Sequence, residues 1–192
     1  TLPTAVVFDD RDRIYVVEAG YSYGEAWATP RLLRLEPDDR WTVVAAGEKN
    51  GPWNGAIYHQ GNFFVSEGGQ LEGGRILKIE ADGKILPLID GLPSHGDHHT
   101  NGPVIGPDGL LYFGQGTMTK SAVVGEDNER LGWLGRFPQG HDIPCSDITL
   151  SGANFMTHKG PTGPFLPIGT ASTPGQKIPG RLPCNGAIMR VA

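Results

Sequence analysis

Apolar residues alternate with polar residues in short runs along this chain, and the runs come in pairs joined by turn residues. Residues 6–20 hold two such runs on either side of the polar segment DDRDR, and residues 30–44 hold two more. Alternation with a period of two, bounded by glycine, proline and aspartate, is typical of β-hairpins. The pattern therefore predicts four strands in the first quarter of the chain.

The same order of runs then returns. Residues 56–69 repeat the first pair, and the sequence RLLRLE at residues 31–36 returns as RILKIE at residues 75–80. A third copy of the first pair occupies residues 104–115, and we expect its third strand only at residues 186–191. A four-stranded unit that recurs every roughly 40 to 50 residues indicates a β-propeller.

We therefore predict an all-β fold, a β-propeller of four-stranded antiparallel blades. A β-sandwich is the alternative, but it leaves the in-phase repeat unexplained. Because propellers have roughly four to eight blades, three units predict that the chain is part of a longer protein. The predicted blade-like units are residues 1–47, 48–93 and 97–192, with an insertion at about residues 117–183.

The insertion is rich in proline and glycine and carries Trp133, Phe137, Phe155 and Phe165. A segment this long between two strands is usually functional or disordered. Because it carries these aromatic residues, we predict an ordered excursion that covers one end of the propeller. A surface insertion with no role at the site is the alternative.

Composition and charge limit the classes of partner that the protein is expected to bind. The chain has 29 Gly and 16 Pro in 192 residues, which favours short strands and ordered loops over helices. A net charge of −5 without a basic stripe argues against nucleic acid or an anionic membrane surface as a partner. No apolar run is long enough for a membrane span, and no signal peptide is recognisable.

Two cysteines, Cys145 and Cys184, stand outside any metal-binding spacing. We predict that they form a disulfide, which places the protein in an oxidising compartment, either the periplasm or the cell exterior. Two buried free thiols in a cytosolic protein are the alternative.

A histidine-rich stretch, SHGDHHTNG at residues 94–102, precedes the first strand of the third unit. Its simplest interpretation is a turn with surface histidines. We favour a functional site, because a carboxylate beside imidazoles can orient one ring and set its basicity. A zinc or iron site made by His95, His98 and His99 is a second interpretation. It is disfavoured because neighbours on an extended segment point to opposite sides.

Further candidates come from the repeat itself. In a propeller, ligands bind where the loops before the innermost strands converge. Trp53 and Asn54 occupy this position in the second unit, and Thr100 and Asn101 in the third. We predict that Trp53, Asn54, His99 and Asn101 contact a substrate. A second candidate ring, or a set of hydrogen-bond partners between blades, is formed by Glu18, Glu67 and Gln115.

The motif DHHTNG at residues 97–102, followed by GPDGLLY at residues 106–112, is similar to a stretch of the soluble quinoprotein glucose dehydrogenases. The segments EAGYSYG at residues 18–24 and GEDN at residues 125–128 resemble more closely the sorbosone dehydrogenase branch of the glucose/sorbosone dehydrogenase family. The resemblance covers most of the chain.

This resemblance implies a six-bladed propeller that binds pyrroloquinoline quinone (PQQ) and calcium and oxidises C1 of an aldose or related sugar. The histidine that matches His98 is the general base, which takes a hydroxyl proton while hydride passes to the quinone. Asp97 beside it favours the imidazolium that forms. An aspartate that supports this histidine in glucose dehydrogenases is absent, and its place falls near Thr117.

The resemblance also implies partners. They are a sugar substrate and an electron acceptor such as a cytochrome or a quinone. The residues that hold PQQ and calcium in the family are expected outside this chain.

Two other functions compete with this interpretation. The first is a metal-dependent sugar lactonase of the gluconolactonase type, in which Glu18, Asn54 and Asn101 would supply oxygen ligands. It does not explain the adjacent Asp97, His98 and His99. The second is a propeller that serves as a non-catalytic binding scaffold.

Overall fold

The computed structural model describes residues 2–20, 28–69 and 72–191. Strands dominate these residues, and the structure is all-β apart from two short helices. The strands form two four-stranded antiparallel sheets, one three-stranded sheet and two small two-stranded ribbons.

The first sheet has the strand order β1-β2-β3-β4, so each strand pairs with its neighbour in the chain. This is the arrangement that the two apolar pairs of runs predict. Its strands are β1 (Pro3–Phe8), β2 (Ile14–Glu18), β3 (Arg31–Leu35) and β4 (Trp41–Ala46).

The second sheet repeats this order as β5-β6-β7-β8. Its first hairpin closes through Gln60 and Gly61, which both have positive φ, at 49° and 81°. Two consecutive positive φ angles give a tight hairpin turn whose twist matches that of the strands. The strands are β5 (Trp53–His59), β6 (Asn62–Glu67), β7 (Gly74–Ile79) and β8 (Ile85–Leu92).

The third sheet has the order β15-β10-β9. Strand β15 (Ala187–Val191) pairs in antiparallel register with β10 (Leu111–Gln115), which pairs with β9 (Thr100–Ile105). The prediction that the third strand of this unit follows the long insertion is therefore confirmed. The first hairpins of the three units lie in three separate sheets.

The insertion between β10 and β15 is an ordered excursion with short elements of its own. Met118, Val124, Trp133 and Leu134 form a small buried cluster inside it. Its elements are α1 (Glu126–Arg130), α2 (Trp133–Arg136), β11 (Ile148–Thr149), β12 (Phe155–Thr157), β13 (Gly160–Thr162) and β14 (Lys177–Ile178).

Two hydrophobic cores lie between successive sheets. The first joins sheets one and two, and the ring of Tyr15 packs there against Phe63 with centroids 4.5 Å apart. The second joins sheets two and three through Ile76, Leu111 and Phe113. Because side chains alternate across a strand, the middle sheet contributes one face to each core.

The opposite face of the first sheet is apolar and partly exposed, although Leu33 on it is buried. Val6, Val16, Leu33 and Val43 stand in one cross-strand row on this face. Val6 is 61% exposed and Val43 is 50% exposed. We call this surface the outer face of the first sheet.

A disulfide joins Cys145 to Cys184, with Cα atoms 5.0 Å apart, as the sequence predicts. It ties the excursion to the segment that leads into β15. In the part of the chain that is described, no helix has the length and apolar character needed to cross a membrane.

Candidate functional site

The first strand of each sheet begins beside the end of its partner strand, so equivalent residues meet at one edge. Pro3 pairs with Glu18, Trp53 with Glu67, and Thr100 with Gln115. The side chain of Glu18 accepts from Arg31 at 2.7 Å. The hydroxyl of Thr100 donates to the side-chain oxygen of Gln115 at 2.9 Å. The series Glu18, Glu67 and Gln115 therefore stabilises this edge by hydrogen bonds within each sheet rather than between sheets.

Trp53 belongs to the core. Its side chain has no exposed surface, and its indole N–H donates to Glu67 at 3.1 Å. A second donor, Asn50 Nδ2, lies 2.6 Å from the same carboxylate. The prediction that Trp53 contacts a substrate is corrected, because an apolar ring with one N–H is buried together with the acceptor of that N–H.

Asn54 joins two sheets. Its Nδ2 donates to the carbonyl of Thr100, 3.0 Å away, and Thr4 Oγ1 makes the equivalent bond to the carbonyl of Trp53 at 2.7 Å. The equivalent residue of the third unit, Asn101, is exposed and donates to the carbonyl of His99 instead. Asn54 thus has a structural role, and Asn101 is the one of the two that is open to solvent.

Three backbone hydrogen bonds hold the histidine-rich stretch, which bends at residues 96–98, against the segment that follows β10. The backbone N–H of Asp97 donates to Met118, that of His98 donates to Thr117, and that of Gly116 donates to His99. A Cβ at Gly116 would lie 2.5 Å from the carbonyl of His98. Glycine is therefore needed where these two segments approach each other.

His98 points towards solvent, with 50% of its side-chain surface exposed. Its Nδ1 lies 3.0 Å from the hydroxyl of Thr117. Its Nε2 lies 3.9 Å from Asp97 Oδ2, and the ammonium of Lys120 lies 3.9 Å from the same oxygen. His98 is thus an accessible imidazole with one nitrogen held and the other beside a carboxylate.

His99 is turned another way, although the backbone bends at residues 96–98 instead of running extended as the sequence predicts. Its ring lies over Gly68, where a Cβ would be 2.6 Å from Nδ1. Burial lowers the pKa of His99 to about 4, helped by the nearby His98 and opposed by Asp97. His99 is therefore neutral at physiological pH.

His95 does not join the other two histidines. It stacks on Phe137 with ring centroids 4.0 Å apart, and it lines a cavity of about 380 Å³ together with Met118 and His141. Burial lowers the pKa of His95. Across residues 2–20, 28–69 and 72–191, no three His, Cys, Asp or Glu side chains gather closely enough to hold a metal ion.

Sequence reasoning did not find Asp142, which is 1% exposed and lies in the excursion. Its carboxylate accepts the backbone N–H of Met118 at 2.6 Å and the hydroxyl of Thr119 at 2.5 Å. Burial raises its pKa, although these hydrogen bonds oppose the change. No local pattern marks Asp142, because its partners lie 23 and 24 residues away.

No protein-family model and no curated protein matches the chain. Part of the segment at residues 18–24 that carries the family resemblance, namely residues 21–24, lies outside the described residues.

The described residues alone supply no cage for calcium, one of the two groups that the resemblance implies, and the resemblance places the residues that hold PQQ and calcium outside this chain. A calcium site needs a cage of six to eight oxygen ligands, and the described residues contain no such acidic cluster. The one lysine beside the candidate base, Lys120, is directed at Asp97. We therefore derive the chemistry of the site only from the residues of this chain.

Proposed function

We propose that this chain supplies the proton-accepting part of a sugar dehydrogenase active site. His98 is the base that removes the proton from the hydroxyl group being oxidised, and Asp97 offsets the positive charge that the imidazole gains. The resemblance to glucose/sorbosone dehydrogenases names PQQ as the acceptor of the hydride. That step belongs to residues other than those described here.

The observation that carries this proposal is the contrast between two adjacent histidines. His98 is exposed with a carboxylate oxygen 3.9 Å from Nε2, whereas His99 is turned inwards with a pKa of about 4. A general base at neutral pH needs an accessible nitrogen and a carboxylate that stabilises its charged form. His98 has both features.

We also propose that the three sheets are blades of a propeller. The outer face of the first sheet carries Val16, whose counterpart Val65 in the second sheet packs in the first core. On the third sheet, Tyr112 lies opposite Arg190, as Tyr15 lies opposite Arg34 on the face that the first sheet turns to the second. Both terminal faces thus have the chemistry of a face that packs against another sheet.

The lactonase alternative has less support. Glu18, its acidic ligand, is 8% exposed and is bound by Arg31 through contacts of 2.6 and 2.7 Å. An oxygen already paired with a guanidinium is a poor ligand for a divalent ion.

The proposal is tested by measuring dye-coupled oxidation of glucose, sorbosone and sorbitol in the longer protein of which the repeat predicts this chain to be part, supplied with PQQ and calcium. We expect the substitution His98→Gln to lower kcat by roughly 10²- to 10⁴-fold, the usual share of a general base. His99→Gln should leave kcat close to the wild-type value, because the ring of His99 packs over Gly68. The control is His59→Gln, because His59 ends strand β5 away from the site.

Three results would contradict the proposal or its assignment. The absence of turnover with every sugar rejects the dehydrogenase function. Full turnover in both histidine variants rejects a histidine base. A loss in His99→Gln with full turnover in His98→Gln moves the base to the neighbouring ring.

A further inference from the structure

Thr117 contacts His98 through both its backbone and its side chain. The carbonyl of Thr117 accepts the backbone N–H of His98 at 2.9 Å. Its hydroxyl lies 3.0 Å from the ring nitrogen Nδ1 and 2.5 Å from the carbonyl of Thr119. The hydroxyl oxygen therefore has two polar neighbours, an imidazole nitrogen and a carbonyl oxygen.

The two neighbours differ in what they can do. A carbonyl oxygen only accepts, so the contact with Thr119 uses the single hydrogen of the Thr117 hydroxyl. The remaining capacity of that hydroxyl is to accept. The contact with His98 is then a hydrogen bond only if Nδ1 carries the hydrogen.

We propose that Thr117 is a positioning residue that fixes His98 as the Nδ1–H tautomer and leaves the lone pair of Nε2 as the base. The Nδ1–H group stays with Thr117 before and after Nε2 accepts a proton. After Nε2 has accepted a proton, the positive charge of the imidazolium is offset by Asp97, whose Oδ2 lies 3.9 Å from Nε2.

The excursion holds Thr117 in this place. Asp142 accepts the backbone N–H groups of Met118 and Thr119, at 2.6 and 3.2 Å, and the hydroxyl of Thr119 at 2.5 Å. The carbonyl that receives the Thr117 hydrogen belongs to the same Thr119. A buried carboxylate with three donors therefore fixes the residues on which the tautomer of His98 depends.

A second clamp secures the other side of the turn. Asn185 donates through Nδ2 to the carbonyl of Gly116 at 2.9 Å and to that of Pro93 at 2.6 Å. Its side-chain oxygen accepts the backbone N–H of Ile143 at 2.9 Å. The residue next to Thr117 is thus tied both to the excursion and to the segment that leads into the histidines.

The tautomer can be measured without any catalytic assay. In uniformly ¹⁵N-labelled protein, two-bond ¹H–¹⁵N correlations of the imidazoles, recorded at alkaline pH, distinguish Nδ1–H from Nε2–H. The signals of His98 are assigned by their loss in His98→Gln. We expect the Nδ1–H pattern in the wild type and in Thr117→Ser, and a shift towards Nε2–H in Thr117→Val.

The matched pair of variants separates positioning from folding. Valine keeps the shape of threonine and removes the hydroxyl, whereas serine keeps the hydroxyl. The imidazole signals of His59 in the same spectra should not change. An Nε2–H pattern for His98 in the wild type, or an unchanged Nδ1–H pattern in Thr117→Val, overturns the inference.

The catalytic consequence rests on the proposed function. Thr117→Val should lower kcat for sugar oxidation by roughly 10- to 100-fold, a part of the general-base effect, with KM little changed, and Thr117→Ser should restore it. An Nδ1–H ring in a protein that oxidises no sugar would uphold the tautomer and reject the dehydrogenase. Full kcat in Thr117→Val, despite the changed tautomer, would reject the positioning role.

Discussion

At the scale of single residues, His98 and His99 show how one peptide unit can separate two identical side chains. The ring of His98 lies against Thr117, whereas the ring of His99 lies over Gly68. His98 keeps half of its surface in solvent, whereas burial lowers the pKa of His99 to about 4. The same imidazole is therefore reactive at one position and an uncharged packing element at the next.

The pKa of His99 predicts a loss of stability in acid. The pKa is about 4 in the folded protein against an ordinary histidine value of 6.5, so the unfolded chain binds more protons between these values. The stability from His99 is present above pH 6.5 and is lost as the pH falls towards 4. The full change is on the order of 3 kcal/mol. Urea unfolding should therefore show a smaller difference between pH 7.5 and pH 5 in His99→Phe than in the wild type.

The control for this measurement is His59→Gln, because His59 ends strand β5 away from His99. It should keep the pH dependence of the wild type. An unchanged pH dependence in His99→Phe would show that His99 is not the group that loses stability in acid.

Prediction from the sequence succeeded for single residues where the residue types alone limit the possible partners. The disulfide follows from there being two cysteines. The adjacent histidines do have different surroundings, but the extended backbone predicted for them is wrong, because the chain bends at residues 96–98. Prediction failed for Trp53, whose place before Asn54 indicated a loop contact. The ring is buried because its N–H has a partner in Glu67, which the spacing of the chain does not reveal.

At the scale of elements, the turn after β10 depends on a carboxylate from the excursion. Asp142 Oδ1 accepts the N–H of Met118, while Oδ2 accepts the N–H and the hydroxyl of Thr119. Burial raises the pKa of Asp142, so its charge is costly there. The three hydrogen bonds offset that cost.

Asp142→Asn should weaken this turn. One of the two acceptor oxygens becomes an NH₂ group, which then faces a donor of Met118 or Thr119. We expect a loss of about 1–3 kcal/mol in the free energy of unfolding, and faster amide exchange at Met118 and Thr119. A gain in stability would mean instead that the cost of burying the charge exceeds the value of its hydrogen bonds.

The matched control is Asp147→Asn. Asp147 is exposed and accepts one backbone N–H, from Gly180 at 2.9 Å. This variant should leave amide exchange at Met118 unchanged. Equal effects of the two substitutions would remove the special role of Asp142.

The sequence predicted those strands that are long enough to show a periodic pattern of apolar and polar residues. Strands β1 to β10 have five to eight residues each and alternate between two environments. The excursion is different, because its helices have four and five residues and its strands two or three. Such pieces are held by tertiary contacts rather than by a periodic pattern, and the sequence predicted only that the segment is ordered.

At the scale of the whole molecule, the repeat sets the positions of the three sheets. The excursion adds side chains that hold the turn beside His98. Bonds from Thr4 to Trp53 and from Asn54 to Thr100 join successive sheets in the same way. Asp142 and Asn185 then join the excursion to the turn beside His98. The candidate site therefore combines a repeated framework with a single insertion.

The disulfide should stabilise the excursion more than the sheets. It closes a loop with a sequence separation of 39, for which chain entropy gives about 4 kcal/mol. The bond lies next to Asn185, so its loss should also loosen the hydrogen bonds of Asn185 to Gly116 and Ile143.

We expect the double variant Cys145→Ser/Cys184→Ser to exchange amide hydrogens faster throughout residues 141–185 and at Gly116. Strands β5 to β7, whose core lies between neighbouring sheets, should keep the protection of the wild type. Equal loss of protection in β6 and in the excursion would show that the whole chain unfolds as one unit, and that the excursion has no separate stability for the disulfide to provide.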